Sequence, residues 1–183
     1  LNWHENIILC FSLSKVGLPG VRTGIIVAAP EVVKAVSSLN AIVNLSPTRF
    51  GAAIAKPLLQ DGRLKQLSDD VIRPFYRNQA QTAVSLLKRE LGAYPLKIHK
   101  PEGAIFLWLW FENLPVSSQT LYEMLKAEGT LIIPGEHFFV GIDTQDYPHA
   151  RECIRMSIAQ DAETLEKGIA AIGRVVRGLY DKK

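Results

Sequence analysis

Hydrophobic and polar positions fall into three textures along the chain. Asn6 to Ser14 (NIILCFSLS) and Gly24 to Ala29 (GIIVAA) are short apolar runs with β-branched or aromatic members, and each predicts a strand buried on both faces. Only KVGLPGVRT lies between them. A parallel crossover needs a dozen or more residues, so neighbouring strands here must be antiparallel, with the link forming a loop at the sheet edge. Pro30 and Glu31 suit a first helical turn, where a missing N–H costs nothing and a negative charge meets the positive end of the helix. That helix is expected to run to about Leu39. From Thr48 to Glu90 the pattern is helical, punctuated by Pro57, Asp61-Gly62 and Pro74, each of which ends or kinks a helix. Two or three helices result, the last long, with Val84, Leu87 and Leu91 on one buried face.

After Gly92 the texture becomes strand, turn, strand: Leu96 to His99, then Lys100-Pro101-Glu102-Gly103, then Ala104 to Phe111. Ser117 or Ser118 caps a helix that ends at Gly129, and Thr130 to Ile133 and Cys153 to Ala159 are further strands. Asp161 caps a last helix whose Leu165, Ile169, Ile172, Val176 and Leu179 form one stripe. Residues from about Leu96 onward therefore read as a compact α+β unit, the sheet covered by helices on one face.

Composition sets bounds on this picture. With 48% hydrophobic and 21% charged residues in 183, the chain should fold around a core. A net charge of +3 with no long basic run gives no electrostatic footprint for nucleic acid, so small molecules are the expected partners. No stretch approaches the ~18 consecutive apolar residues of a membrane span, and no signal-peptide pattern opens the chain. Cys10 and Cys153 sit in apolar runs, where free thiols behave as small buried hydrophobes, which fits a reducing cytosol. His4, His99, His137 and His149 lack metal-ligand spacing, so no metal is expected.

Candidate chemistry concentrates in Ser12-Leu13-Ser14-Lys15-Val16-Gly17-Leu18-Pro19-Gly20-Val21-Arg22-Thr23-Gly24. Glycines let backbone N–H groups approach an anion, while Ser12, Ser14 and Arg22 supply hydroxyl donors and a bidentate guanidinium. A lysine beside such a phosphate cradle, partly desolvated and near another cation, becomes an amine nucleophile at neutral pH. The plainer alternative is that Lys15 and Arg22 are solvated loop residues. The Ser-x-x-Lys motif of penicillin-binding proteins is excluded because a helix through the lysine and a later Lys-Thr-Gly are lacking. A Walker A loop is excluded too, since no Gly-Lys-Ser/Thr follows the glycines. Arg155, between Ile154 and Met156 in an apolar strand, needs an anionic partner: a ligand or a structural ion pair.

The segment resembles the cofactor-lysine signature of class I/II aminotransferases of fold type I. Two further segments carry the resemblance: IHKPEGAIFLWLWF (Ile98 to Phe111), similar to a small-domain strand pair, and CIRMS (Cys153 to Ser157), similar to a late strand bearing an arginine. The chain has one residue fewer between lysine and arginine than the usual signature, and Thr23 stands where an aliphatic residue is usual. This short form, SLSK-x-GLPG-x-R, resembles the branch that exchanges amino groups between valine and pyruvate. The resemblance implies pyridoxal 5'-phosphate as cofactor, Lys15 as its aldimine lysine, Ser12, Ser14 and Arg22 as phosphate ligands, and Arg155 as the grip on the substrate carboxylate. It further implies amino acid and 2-oxo acid substrates, a cytoplasmic homodimer, and an α/β chain that corresponds to the C-terminal part of the family protein, residues 1–92 ending the mixed sheet of the cofactor domain with its interdomain helices and residues 93–183 forming the small α+β domain. The ring-nitrogen and ring-oxygen partners of the family precede the lysine, so the chain is expected to be a truncated copy or a fragment, inactive alone. Pro134 to Phe139 resembles the loop lining the substrate side. Two rivals share the motif: a lyase or decarboxylase of the same fold, and the aminotransferase-like sensing domain of a transcriptional regulator.

Overall fold

A computed structural model describes residues 4–45 and 49–182, which pack as two compact units, Leu1–Pro74 and Phe75–Lys183. Thr48, where the helical pattern was expected to begin, lies outside the described residues.

In the first unit, β1 (Leu9–Ser12) pairs antiparallel with β2 (Gly24–Val27), Leu9 facing Val27 and Ser12 facing Gly24, as the short link requires. Two short 3-10 turns, Leu13–Lys15 and Pro19–Val21, make up that link. The strands are not buried on both faces: Cys10, Phe11, Ile26 and Val27 are exposed. A two-stranded ribbon cannot cover its own faces, and the rest of the unit covers them only in part: Ile25 reaches the small core of Leu13, Ala55 and Leu64, and Ile26 lines a pocket with Val33 and Val36. Cys10 is accordingly an exposed thiol, whereas Cys153 is buried.

Helix α1 (Pro30–Asn44) starts on Pro30 as expected and runs past Leu39, because no breaker intervenes and Asn44 donates from its side-chain amide back to Asn40. Helix α2 (Phe50–Gln60) contains Pro57. Helix α3 (Arg63–Leu67) leads through a π turn (Ser68–Ile72) straight into α4 (Arg73–Leu91). Pro74 therefore does not end the helix. The wider turn ahead of it takes up the carbonyl its ring would otherwise strike. A small core of Leu13, Ala55 and Leu64 anchors the link between the strands to α2 and α3.

The second unit holds a four-stranded antiparallel sheet, ordered β3 (Leu96–Ile98), β4 (Phe106–Phe111), β6 (Cys153–Ser157), β5 (Ile133–Pro134), with the short helix α6 (Pro148–Glu152) leading into β6. The strand expected over Thr130 to Ile133 is only this two-residue edge; Thr130 instead donates its N–H back to the carbonyl of Leu125 at the end of a helix. Alternation along β4 puts Leu107, Leu109 and Phe111 in the core. They meet Leu87 and Leu91 of α4, Leu121 and Leu125 of α5 (Ser118–Ala127), and Ile169, Ile172 and Val176 of α7 (Ala162–Tyr180). Each such side chain contributes about 1.5–3 kcal/mol on full burial, which makes this layer the source of the unit's stability. Ser117 and Asp161 cap α5 and α7, accepting from the N–H groups of Thr120 and Thr164. Buried Gln79 ties α4 to the segment after β6, donating to the carbonyls of Ile158 (3.3 Å) and Gln160 (2.7 Å). Among the described residues, no helix is long and apolar enough to cross a membrane.

Candidate active site

The polar face of the first unit is organised by the link between β1 and β2. Ser12 ends β1 and caps the first 3-10 turn, its hydroxyl oxygen accepting from the Ser14 N–H at 3.3 Å. Lys15 closes that turn one residue after Ser14, and Gly17, at φ +96°, reverses the chain. Leu13 donates its N–H to the carbonyl of Thr23 at 3.1 Å, which pins the far end of the link beside the near end. Arg22 is thereby returned to Ser14, donating from Nη1 to its hydroxyl oxygen at 3.4 Å. The arginine backbone is left-handed, φ 46° and ψ 42°, a conformation that costs a side-chain-bearing residue about 1–2 kcal/mol. Thr23 steadies it with a hydroxyl donated to the Val21 carbonyl at 2.8 Å.

Ser12, Ser14 and Lys15 thus belong to the first turn of the link, and Arg22, which follows the second, is bonded back to it through Ser14. Ser14 is half-buried, while Ser12, Lys15 and Arg22 are exposed. The desolvation expected for Lys15 is therefore not supplied by this chain's described residues. Two hydroxyls, a guanidinium and an amine within this one link fit a phosphate monoester that also carries an aldehyde: the anion has its donors, the carbonyl its nucleophile.

Arg155 lies in the second unit, on the sheet face opposite the helices. In register it sits across from Trp108 of β4 and from Ile133 of β5. Its guanidinium carbon lies over the Phe106 ring at 4.1 Å and the Phe138 ring at 4.8 Å. Nε is buried and has no hydrogen-bond partner among the described residues. The structural ion pair left open by the sequence does not form among them. Acidic groups near this face are directed elsewhere: Glu152 accepts from Trp110 Nε1 and the Asn113 N–H, and Glu136 from the Ser118 hydroxyl.

Trp108 and Trp110 pack the sheet face, edge-on to Phe138 and His149. Phe106 carries no sequence signal beyond the alternation along β4 that puts it on the same face as Trp108. Phe138 belongs to the Pro134–Phe139 segment whose resemblance is to a substrate-side loop, and the structure sets it against Arg155, a pairing the resemblance did not specify. Cys153, beside His149, is no nucleophile: burial pushes its thiol up to about 11.

The family model for aminotransferase class I and II matches residues 1–172, and the chain belongs to that family. A valine–pyruvate aminotransferase of Escherichia coli is 42% identical over 95% of this chain and 42% of its own length. The crystal structure of a putative amino-acid aminotransferase from Psychrobacter arcticum superposes with a TM-score of 0.96 at 68% identity, covering all of this chain and 42% of that one. LysN of Thermus thermophilus, an α-aminoadipate aminotransferase complexed with N-(5'-phosphopyridoxyl)-L-leucine, superposes at 0.83 and 26% identity over 98% of this chain and 44% of that one. The chain has the fold of type I pyridoxal-phosphate aminotransferases, and spans less than half the length of these relatives.

Proposed function

We propose that this chain is the C-terminal portion of a pyridoxal-phosphate-dependent aminotransferase that moves an amino group between an aliphatic amino acid, L-valine or one like it, and pyruvate. The observation that carries this reading is the Arg22 guanidinium on the Ser14 hydroxyl, one residue from Lys15, in a chain of this family. Similarity to the valine–pyruvate enzyme supports the substrate pair. The division proposed for the working protein is residues 1–92, the end of the cofactor domain with its linking helices, and residues 93–183, the small domain. A cytoplasmic homodimer is proposed as its working form.

When bound, the cofactor supplies the electron sink for breaking the bond to the substrate α-hydrogen. Ser12, Ser14 and Arg22 would hold the phosphate and so fix the position of the aldehyde against Lys15. Lys15 Nζ would anchor the cofactor and would carry the substrate α-proton, accepting it as base and returning it as acid. Arg155 binds the substrate carboxylate by paired hydrogen bonds and orients the α-carbon.

The test is to supply pyridoxal phosphate to the holoenzyme that carries this chain, reduce with borohydride and map the modified peptide. Label on Lys15 is expected; label on another residue overturns the assignment. Lys15→Ala should lower transamination of valine with pyruvate by on the order of a thousandfold or more, the scale of a lost general base.

A further inference from the structure

An arginine on a sheet face must have its charge compensated, and the compensation around Arg155 is aromatic. β6 places the side chain, β4 contributes Phe106 and the turn after β5 contributes Phe138, with the guanidinium carbon over both rings. A guanidinium has two chemically different aspects. Its flat faces attract the negative face of an aromatic ring, and its edge carries the N–H donors. Rings on the flat aspect leave the edge as the route for an oxyanion. They also stop the side chain from swinging to another rotamer, so less order is lost when a ligand is gripped. The buried, unpartnered Nε fits an arginine whose orientation is set by packing rather than by hydrogen bonding.

We infer that Phe106 and Phe138 are positioning residues, an aromatic clamp that fixes the plane of the Arg155 guanidinium so that a substrate carboxylate meets it edge-on in a bidentate pair. This inference rests on the proposed role of Arg155 and deepens it. The clamp touches no reacting atom. Its signature is a loss of carboxylate affinity with the chemical step preserved.

Isovalerate, a branched monocarboxylate without an amino group, serves as the probe. Its binding to the holoenzyme is measured by calorimetry, beside kcat and KM for valine with pyruvate. Phe106→Leu and Phe138→Leu remove the π face while keeping an apolar side chain; Phe106→Tyr and Phe138→Tyr keep the ring. Each leucine variant should raise the isovalerate Kd and the valine KM about fivefold, the scale of a partly exposed cation–π contact, while kcat and both tyrosine variants stay within about twofold of the parent. Arg155→Ala separates the two levels of the argument. If it abolishes isovalerate binding while the leucine variants bind normally, the clamp is refuted and the role of Arg155 stands. If it binds isovalerate normally, the role of Arg155 falls and the clamp with it. Phe138 is 42% exposed, so its leucine variant leaves the core untouched and decides the matter alone should Phe106→Leu fail to fold.

Discussion

Asp161 shows how a single side chain can fix the pH response of an element. Its carboxylate accepts from the Thr164 N–H at 2.9 Å and the Thr164 hydroxyl at 2.7 Å, and the backbone bond, with the hydroxyl second, holds its pKa below the ordinary carboxylate value. Glu90 is lowered in the same direction, chiefly by the hydrogen bond from Arg177 at 2.9 Å. A carboxylate whose folded pKa is depressed adds stability above its unfolded value and loses it as pH falls through the folded one. The melting temperature of the parent should therefore drop as the pH is taken below about 4, the unfolded carboxylate range. Asp161→Asn should melt with a shallower acid limb, and thermal melts from pH 7 to pH 2 would show it; an unchanged slope would remove the cap from the acid response. The cap was legible in the sequence, because Asp before an apolar stripe of helical period is a local signal. The ring contacts of Arg155 were legible only in part: resemblance puts the Pro134–Phe139 segment on the substrate side, but that Phe138 packs on the guanidinium depends on a turn that only tertiary structure brings near.

At the scale of elements, α2 is set against the link that carries Arg22. Gly51, in its first turn, is buried, and a β-carbon there would collide with the Val21 carbonyl and the Thr23 hydroxyl on either side of that arginine. Relief requires the link to shift, since a carbonyl of the backbone cannot rotate away as a flexible side chain would. Gly51→Ala should cost about 1–3 kcal/mol, the usual scale of overpacking, and should weaken retention of the cofactor phosphate by displacing Arg22. Differential scanning fluorimetry with and without pyridoxal phosphate separates the two effects; equal cofactor-induced stabilisation in parent and variant would show that the link tolerates the shift. The antiparallel pairing of β1 with β2 was readable from the length of the link, and the α7 stripe from its period. The apolar runs predict burial on both faces, but an apolar run records what a strand is built to meet, and here only Ile25 reaches a core while Phe11, Ile26 and Val27 stay exposed. The π turn escaped notice for a related reason: Pro74 signals a break, and only the geometry of the preceding turn decides between a break and a local widening.

At the scale of the molecule the two units differ in how their apolar side chains are covered: Leu39, Ile42, Val43 and Phe50 of the first unit are exposed, while the second unit closes its core over α4, α5 and α7. Amide exchange on the 183-residue chain alone should therefore be fast through α1 and β1 and slow through β4, β6 and α7; equal protection of the two units would contradict this. Both described tryptophans, Trp108 and Trp110, stand on the same side of β4 as the Arg155 register position, one edge-on to Phe138 and the other to His149. With Trp3 replaced by phenylalanine, emission excited selectively from tryptophan would originate at these two rings, which makes the pair an optical gauge of that face, readable in titration or rapid mixing with no dye attached.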